Sequence, residues 1–150
     1  DELGIPFGPE RRDLVNGKSI TLADGRRIAP EDVLGSAIKG VSMAITGDTG
    51  KTSNLLDAVK GLDTLVIEST YIDEDAEMAR NFGHLTARQA AELAKQAGIK
   101  RLILTHLSRR YRERDVLNEA RKIFPESYVA RDFDVYQVKR EDDKETSSEK

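Results

Sequence analysis

The sequence predicts an α/β fold built on a parallel sheet. Short aliphatic runs at Val41–Thr46, Thr64–Ile67 and Leu102–Leu104 have the length and bounding residues of buried strands. The stretches between them carry apolar residues at helical spacing, so strand, helix, strand, helix and strand follow one another from Val41 to Thr105. Two such crossover units place their strands parallel in one sheet. At 150 residues the chain has the size of one domain with one core, able to bury about two-thirds of its unfolded surface.

Taken in order, residues 1–18 hold Pro6, Gly8 and Pro9 and are expected as a loop, then a helical turn near Arg11–Val15. Ile20–Leu22 and Arg26–Ile28 flank Asp24-Gly25, which tolerates positive φ and signals a hairpin over 19–29, closed by Pro30. The Val41–Thr46 strand runs into Gly47-Asp48-Thr49-Gly50, a tight turn with an acid at its tip. Ser53–Lys60 puts Leu55, Leu56 and Val59 on one helical face, and Gly61 ends it. Thr64–Ile67 terminates at Glu68, Ser69, Thr70 and Tyr71, and Asp73–Arg80 reads as a short, exposed helix.

Thr86–Ala97 is the clearest helix. Thr86 and Gln89 have capping-box spacing, Ala87, Ala90, Ala91 and Ala94 form one face that can lie close to a sheet, and Gly98 stops it. The Leu102–Leu104 strand follows, then a helix over Arg112–Phe124 stopped by Pro125, and final strands at Ser127–Ala130 and Asp134–Val138. Lys139–Lys150 is too polar to offset the entropy of ordering and is expected as a disordered tail.

Charged residues make up 34% but the net charge is −3, so any nucleic-acid binding must come from a local patch rather than from overall basic character. Arg109, Arg110, Arg112 and Arg114 form such a run, although a run of this kind is usually a solvated face. The absence of cysteine excludes disulfides and thiolate metal sites and fits a reducing compartment. No apolar run approaches the roughly 18 residues that span a bilayer, and no signal-like segment opens the chain. A soluble, cytoplasmic protein without a membrane partner is expected.

Parallel strands put their carboxyl ends on one edge, where α/β sheets usually hold ligands. Asp48, Glu68 and His106 each stand at or just past such an end, so they are expected along one rim. A lone histidine past a strand is most often structural, Asp48 suits a turn, and Glu68 suits a hydrogen-bonded strand end. His84 arrives two residues before the capping Thr86, beside a helix start whose free N–H groups attract phosphate. A carboxylate with imidazoles suits zinc or manganese, yet one Asp and two His are too few for a two-metal site.

Four segments in order carry a resemblance. Ile45-Thr46-Gly47-Asp48-Thr49, Glu68-Ser69-Thr70-Tyr71, Phe82-Gly83-His84-Leu85-Thr86-Ala87 and Leu104-Thr105-His106-Leu107-Ser108-Arg109-Arg110-Tyr111 resemble the successive motifs of the ribonuclease Z family of metallo-β-lactamase fold. Gly4-Ile5-Pro6 with Gly8-Pro9 resembles the segment after that family's flexible arm. The resemblance implies the carboxy-terminal half of an αββα sandwich over residues 1–138.

It also implies roles. Asp48 would bridge two zinc ions, His106 would ligate one of them, and His84 would protonate the departing ribose oxygen, with Glu68 as its support. Arg110, Arg109, Ser108 and Thr86 would serve the substrate, a precursor tRNA whose 3′ trailer is removed. The family's His-x-His-x-Asp-His motif and RNA-binding arm are absent, since His84 and His106 are the only histidines. This half is therefore expected to need a missing amino-terminal half, to hold zinc partially or not at all, and to be inactive alone, whereas the full-length protein would be a homodimer. Another phosphodiesterase of the same fold, or a non-catalytic RNA-binding or oligomerisation module, are the competing readings.

Overall fold

The computed structural model describes residues 3–35 and 39–139. Instead of one core there are two compact units, meeting in sequence at Lys39 and Gly40, each with its own apolar cluster.

In the first unit, α1 (Pro9–Val15) opens with proline at its first position, where a missing N–H costs nothing. β1 (Ile20–Thr21) and β2 (Arg27–Ile28) pair antiparallel with Ile20 opposite Ile28. Asp24 holds the turn by accepting the Arg26 backbone N–H at 3.0 Å and its Nε at 2.7 Å. Leu14, Ile20 and Ile28 form the small core, with Ile5 and Leu22 against it.

The second unit carries a four-stranded parallel sheet in the order β3 (Met43–Ile45), β4 (Thr64–Glu68), β5 (Arg101–Thr105), β6 (Ser127–Val129). α2 (Leu56–Val59), α3 (Ala76–Phe82), α4 (Ala87–Ala97) and α5 (Glu113–Arg121) complete it, with a 3-10 turn at Asp73–Asp75. Leu65 and Ile67 of β4, and Leu102 and Leu104 of β5, form the core with the alanine face of α4 and with Val116 and Ala120 of α5. Alanines at 87, 90, 91 and 94 are fully buried, which lets the helix axis approach the sheet. At the edge, Met43 is 51% and Ile45 69% exposed, and register places both on the sheet face opposite Ala44 and Leu65.

Several elements are shorter than their sequence patterns. α2 has only one turn because Thr52, Ser53 and Asn54 favour a turn, closed by the Leu55 N–H on Thr52 O. α5 ends at Arg121, since Pro125 biases the preceding residue away from helical geometry. The Asp73–Arg80 stretch divides into the 3-10 turn and α3. The expected strand over Asp134–Val138 does not form. That stretch pairs with no strand among the described residues and is held instead by the Tyr136 hydroxyl on Val129 O and the Arg101 guanidinium on Gln137 O. Of the expected polar tail, residues 140–150 lie outside the described residues.

Candidate active site

The sheet brings Asp48, Glu68 and His106 to one rim, as parallel strands require. β3 leads through Thr46-Gly47 to Asp48, β4 ends on Glu68, and β5 ends one residue before His106, with Glu68 opposite Thr105 in the register. The closest atoms of Asp48 and His106, Oδ1 and Nδ1, are 3.4 Å apart, and both side chains are more than half exposed. His106 adopts φ of 55°, a left-handed conformation uncommon for a residue with a Cβ.

Glu68 is the organiser. Its side chain is 2% exposed, and its two oxygens accept from the Thr49 N–H at 2.8 Å, the Leu85 N–H at 3.2 Å and the Thr70 hydroxyl at 2.6 Å. His84 Nδ1 lies 3.0 Å from Oε1. One carboxylate thus joins the Asp48 turn, the end of β4 and the approach to α4. Burial pushes its pKa up, but the hydrogen bonds from Thr70, Thr49, His84 and Leu85 outweigh burial and hold the carboxyl below its ordinary range.

Thr70 is the residue that the sequence pattern did not single out. Its hydroxyl lies 3.0 Å from His106 Nδ1 and 3.3 Å from His84 Nδ1. With its one proton directed to Glu68, that oxygen can only accept, which assigns a proton to His106 Nδ1. The Glu68 carboxylate, an acceptor, does the same for His84 Nδ1. In its neutral form each imidazole would then have Nε2 as its free nitrogen. The rings stand 5.3 Å apart between centroids.

The start of α4 differs from expectation. Rather than offering free N–H groups to a phosphate, it is closed by the protein itself. The Thr86 N–H donates to Gln89 Oε1, that of Ala87 to Tyr71 O, that of Arg88 to Glu119 Oε1 and that of Gln89 to Thr86 Oγ1. Thr86 is fully buried, and its hydroxyl serves as the cap. Ser108 accepts the Arg110 N–H, while the side chains of Arg109 and Arg110 reach solvent, Arg110 Nη1 lying 2.9 Å from Met78 Sδ. The Tyr111 hydroxyl donates to Asp75, and burial together with that carboxylate pushes its pKa up to about 12.

Asp48, His84 and His106 each offer a ligand atom, all within 4.8 Å of one another. Carboxylate and imidazole donors fit one divalent ion of the zinc or manganese kind. A second ion would need donors beyond these three. The buried hydroxyls of Thr46 and Ser69, beside the same strand ends, have no partner among the described residues.

A parallel α/β sheet thus gathers a carboxylate and two histidines along one rim. The model of the beta-lactamase superfamily domain matches residues 14–107, and the chain belongs to that family. Within it, the chain is 48% identical over 132 residues to a ribonuclease Z of Bradyrhizobium diazoefficiens, covering 88% of this chain and 44% of that protein. It is 44% identical to ribonuclease BN of Escherichia coli over 138 residues, covering 90% of this chain and 45% of that one. The crystal structure of the short form of human tRNase Z superposes with a TM-score of 0.54 at 30% identity, covering 67% of this chain and 35% of the human one. The chain thus spans less than half the length of the curated relatives it matches.

Proposed function

We propose that this chain is the carboxy-terminal half of a zinc-dependent ribonuclease Z that removes the 3′ trailer from precursor tRNA. The reading rests on the hydrogen-bonded set Glu68, Thr70, His84 and His106 with Asp48 beside it, in a chain 48% identical to a ribonuclease Z. Asp48 and His106 would hold the metal. A bound divalent ion would supply Lewis-acid polarisation of the phosphoryl group and of water.

His84 is the proton donor. Its Nδ1 is engaged by a buried carboxylate 3.0 Å away, which orients the ring and leaves Nε2 as the nitrogen for the substrate. A ring oriented in this way can carry a proton at that nitrogen and deliver it to the departing ribose oxygen. Glu68 and Thr70 act through the histidines as positioning residues. Arg109 and Arg110 hold a tRNA phosphate, and Ser108 shapes their loop. Thr86 serves the substrate only through the helix end that it caps.

The remaining donors come from the amino-terminal half, which would also cover the sheet face that exposes Met43 and Ile45. The whole enzyme works as a cytoplasmic homodimer, and this half alone does not cleave RNA. The test is elemental analysis and precursor-tRNA cleavage on the 150-residue chain, alone and joined to the amino-terminal half of the Bradyrhizobium relative. Metal uptake and cleavage only in the joined protein support the reading. Stoichiometric metal with cleavage by the chain alone overturns the half-site, and RNA binding without cleavage in the joined protein overturns the enzyme.

A further inference from the structure

Glu119 lies on α5, and its carboxylate reaches two backbone amides in the segments that carry Thr70 and His84. Oε1 accepts from the Arg88 N–H at 2.9 Å, and both oxygens accept from the Asp73 N–H, at 3.1 and 3.0 Å. The side chains of those same two residues pair directly, Arg88 Nε to Asp73 Oδ2 at 2.9 Å. Asp73 and Arg88 are thus joined twice, by their amides through Glu119 and by their own side chains.

These two residues sit where two short segments diverge. Residues 70–73 and 84–88 run side by side, with Tyr71 bridged to Thr86, the Tyr71 N–H on Leu85 O at 3.1 Å and the Ala87 N–H on Tyr71 O at 2.9 Å. One segment carries Thr70 and the other carries His84, whose contact at 3.3 Å and shared partner Glu68 depend on their register. Glu68 ties the segments at one end, and Glu119 ties them at the other. A carboxylate is well suited to this, since amide bonds to an ionised acceptor are stronger than neutral ones and a negative charge is favoured at a helix start.

We propose that Glu119 is a positioning residue for His84, fixing the segment that carries it against the segment that carries Thr70. The functional meaning of this rests on His84 being the proton donor, but the positioning itself does not. A local cap on α4 would hold the Arg88 amide without influencing the imidazole, which gives a clear contrast.

The test is proton and nitrogen NMR of the 150-residue chain as wild type, Glu119→Gln and Glu119→Ala, reading amide exchange at Asp73 and Arg88 and solvent exchange of the His84 Nδ1 proton. Loss of one such hydrogen bond corresponds to roughly tenfold in an opening equilibrium. Glu119→Ala is expected to speed both amides and the His84 ring proton by about that factor, and Glu119→Gln, which keeps one acceptor oxygen, to restore most of the protection. Faster amides with an unchanged ring proton, in either variant, overturn the proposal and leave Glu119 as a cap. Should the alanine variant unfold, Glu119→Met, which fills similar space without an acceptor oxygen, takes its place and is read against the same two outcomes. Neither outcome depends on cleavage, so a failure of the nuclease reading would be seen separately.

Discussion

Gly50 stands against Gly83 so closely that a Cβ built on Gly50 would lie 2.9 Å from Gly83 Cα and 3.0 Å from its carbonyl carbon. The obstacle is backbone and cannot rotate away. Gly83, with φ of 73°, ends α3 and immediately precedes His84. The Asp48 turn and the approach to His84 are therefore in contact through two residues without side chains. Gly50→Ala is expected to destabilise the fold by about 1–3 kcal/mol, the usual cost of overpacking. Gly47→Ala, where nothing lies within 4 Å, is the control and should stay within about 0.5 kcal/mol in urea titration.

His106→Gly and His106→Ala should differ from each other. The left-handed φ of 55° costs an L-residue with a Cβ but not glycine. The glycine variant is expected to be more stable than the alanine variant by about 1 kcal/mol in thermal or urea unfolding. Equal stabilities would mean that the loop relaxes to another backbone conformation. In the joined two-half protein both variants should lose metal and activity together.

His84→Ala in the same joined protein should retain metal and lose rate. Elemental analysis beside a cleavage assay separates this from the alternative that the triad with Asp48 makes possible. Loss of metal would make His84 a ligand and remove it as the proton donor.

Asp63 supplies a pH test away from the site. The Lys100 ammonium at 3.0 Å is the first cause, followed by the Ser42 N–H and hydroxyl, and together they bring its pKa down to about 2. The unfolded chain protonates this carboxyl first as pH falls, so the stability it contributes is present above pH ~4 and is lost as pH drops towards 2. The urea midpoint of the wild type should therefore fall more between pH 4 and about 2 than that of Asp63→Asn. Parallel curves for the two proteins would refute the assignment.

Glu68→Gln should be costly because the amide would turn N–H groups towards donors. Breaking this buried network is expected to remove about 2–3 kcal/mol of stability, read from the urea midpoint at neutral pH. A cost near zero would show that Glu68 does not organise the rim.

Much of the second unit was legible because aliphatic runs and caps are local signals. Thr64–Ile67 and Leu102–Leu104 form strands, Thr86 and Gln89 form the capping box, and Gly98 takes the left-handed φ of 66° at the end of α4. The rim followed from parallel strands, which fix where Asp48, Glu68 and His106 must emerge. Thr70 was not legible, since a threonine after a strand carries no mark of the two histidines it will meet. Nor was Glu119, which in sequence is one acid among several on the helix that follows His106. Asp134–Val138 failed for the opposite reason, because a strand pattern becomes a strand only beside a partner.

The closed start of α4 bears on how broadly an anion could be accepted here. Backbone amides fixed at a helix end would admit a phosphate along one approach only. Long guanidinium side chains such as those of Arg109 and Arg110 can follow a polyanion along many trajectories. With the amides of Thr86, Ala87, Arg88 and Gln89 committed inward, the helix start offers no fixed amide cradle, and a phosphate held by Arg109 and Arg110 as proposed would be held with tolerance for differing shapes.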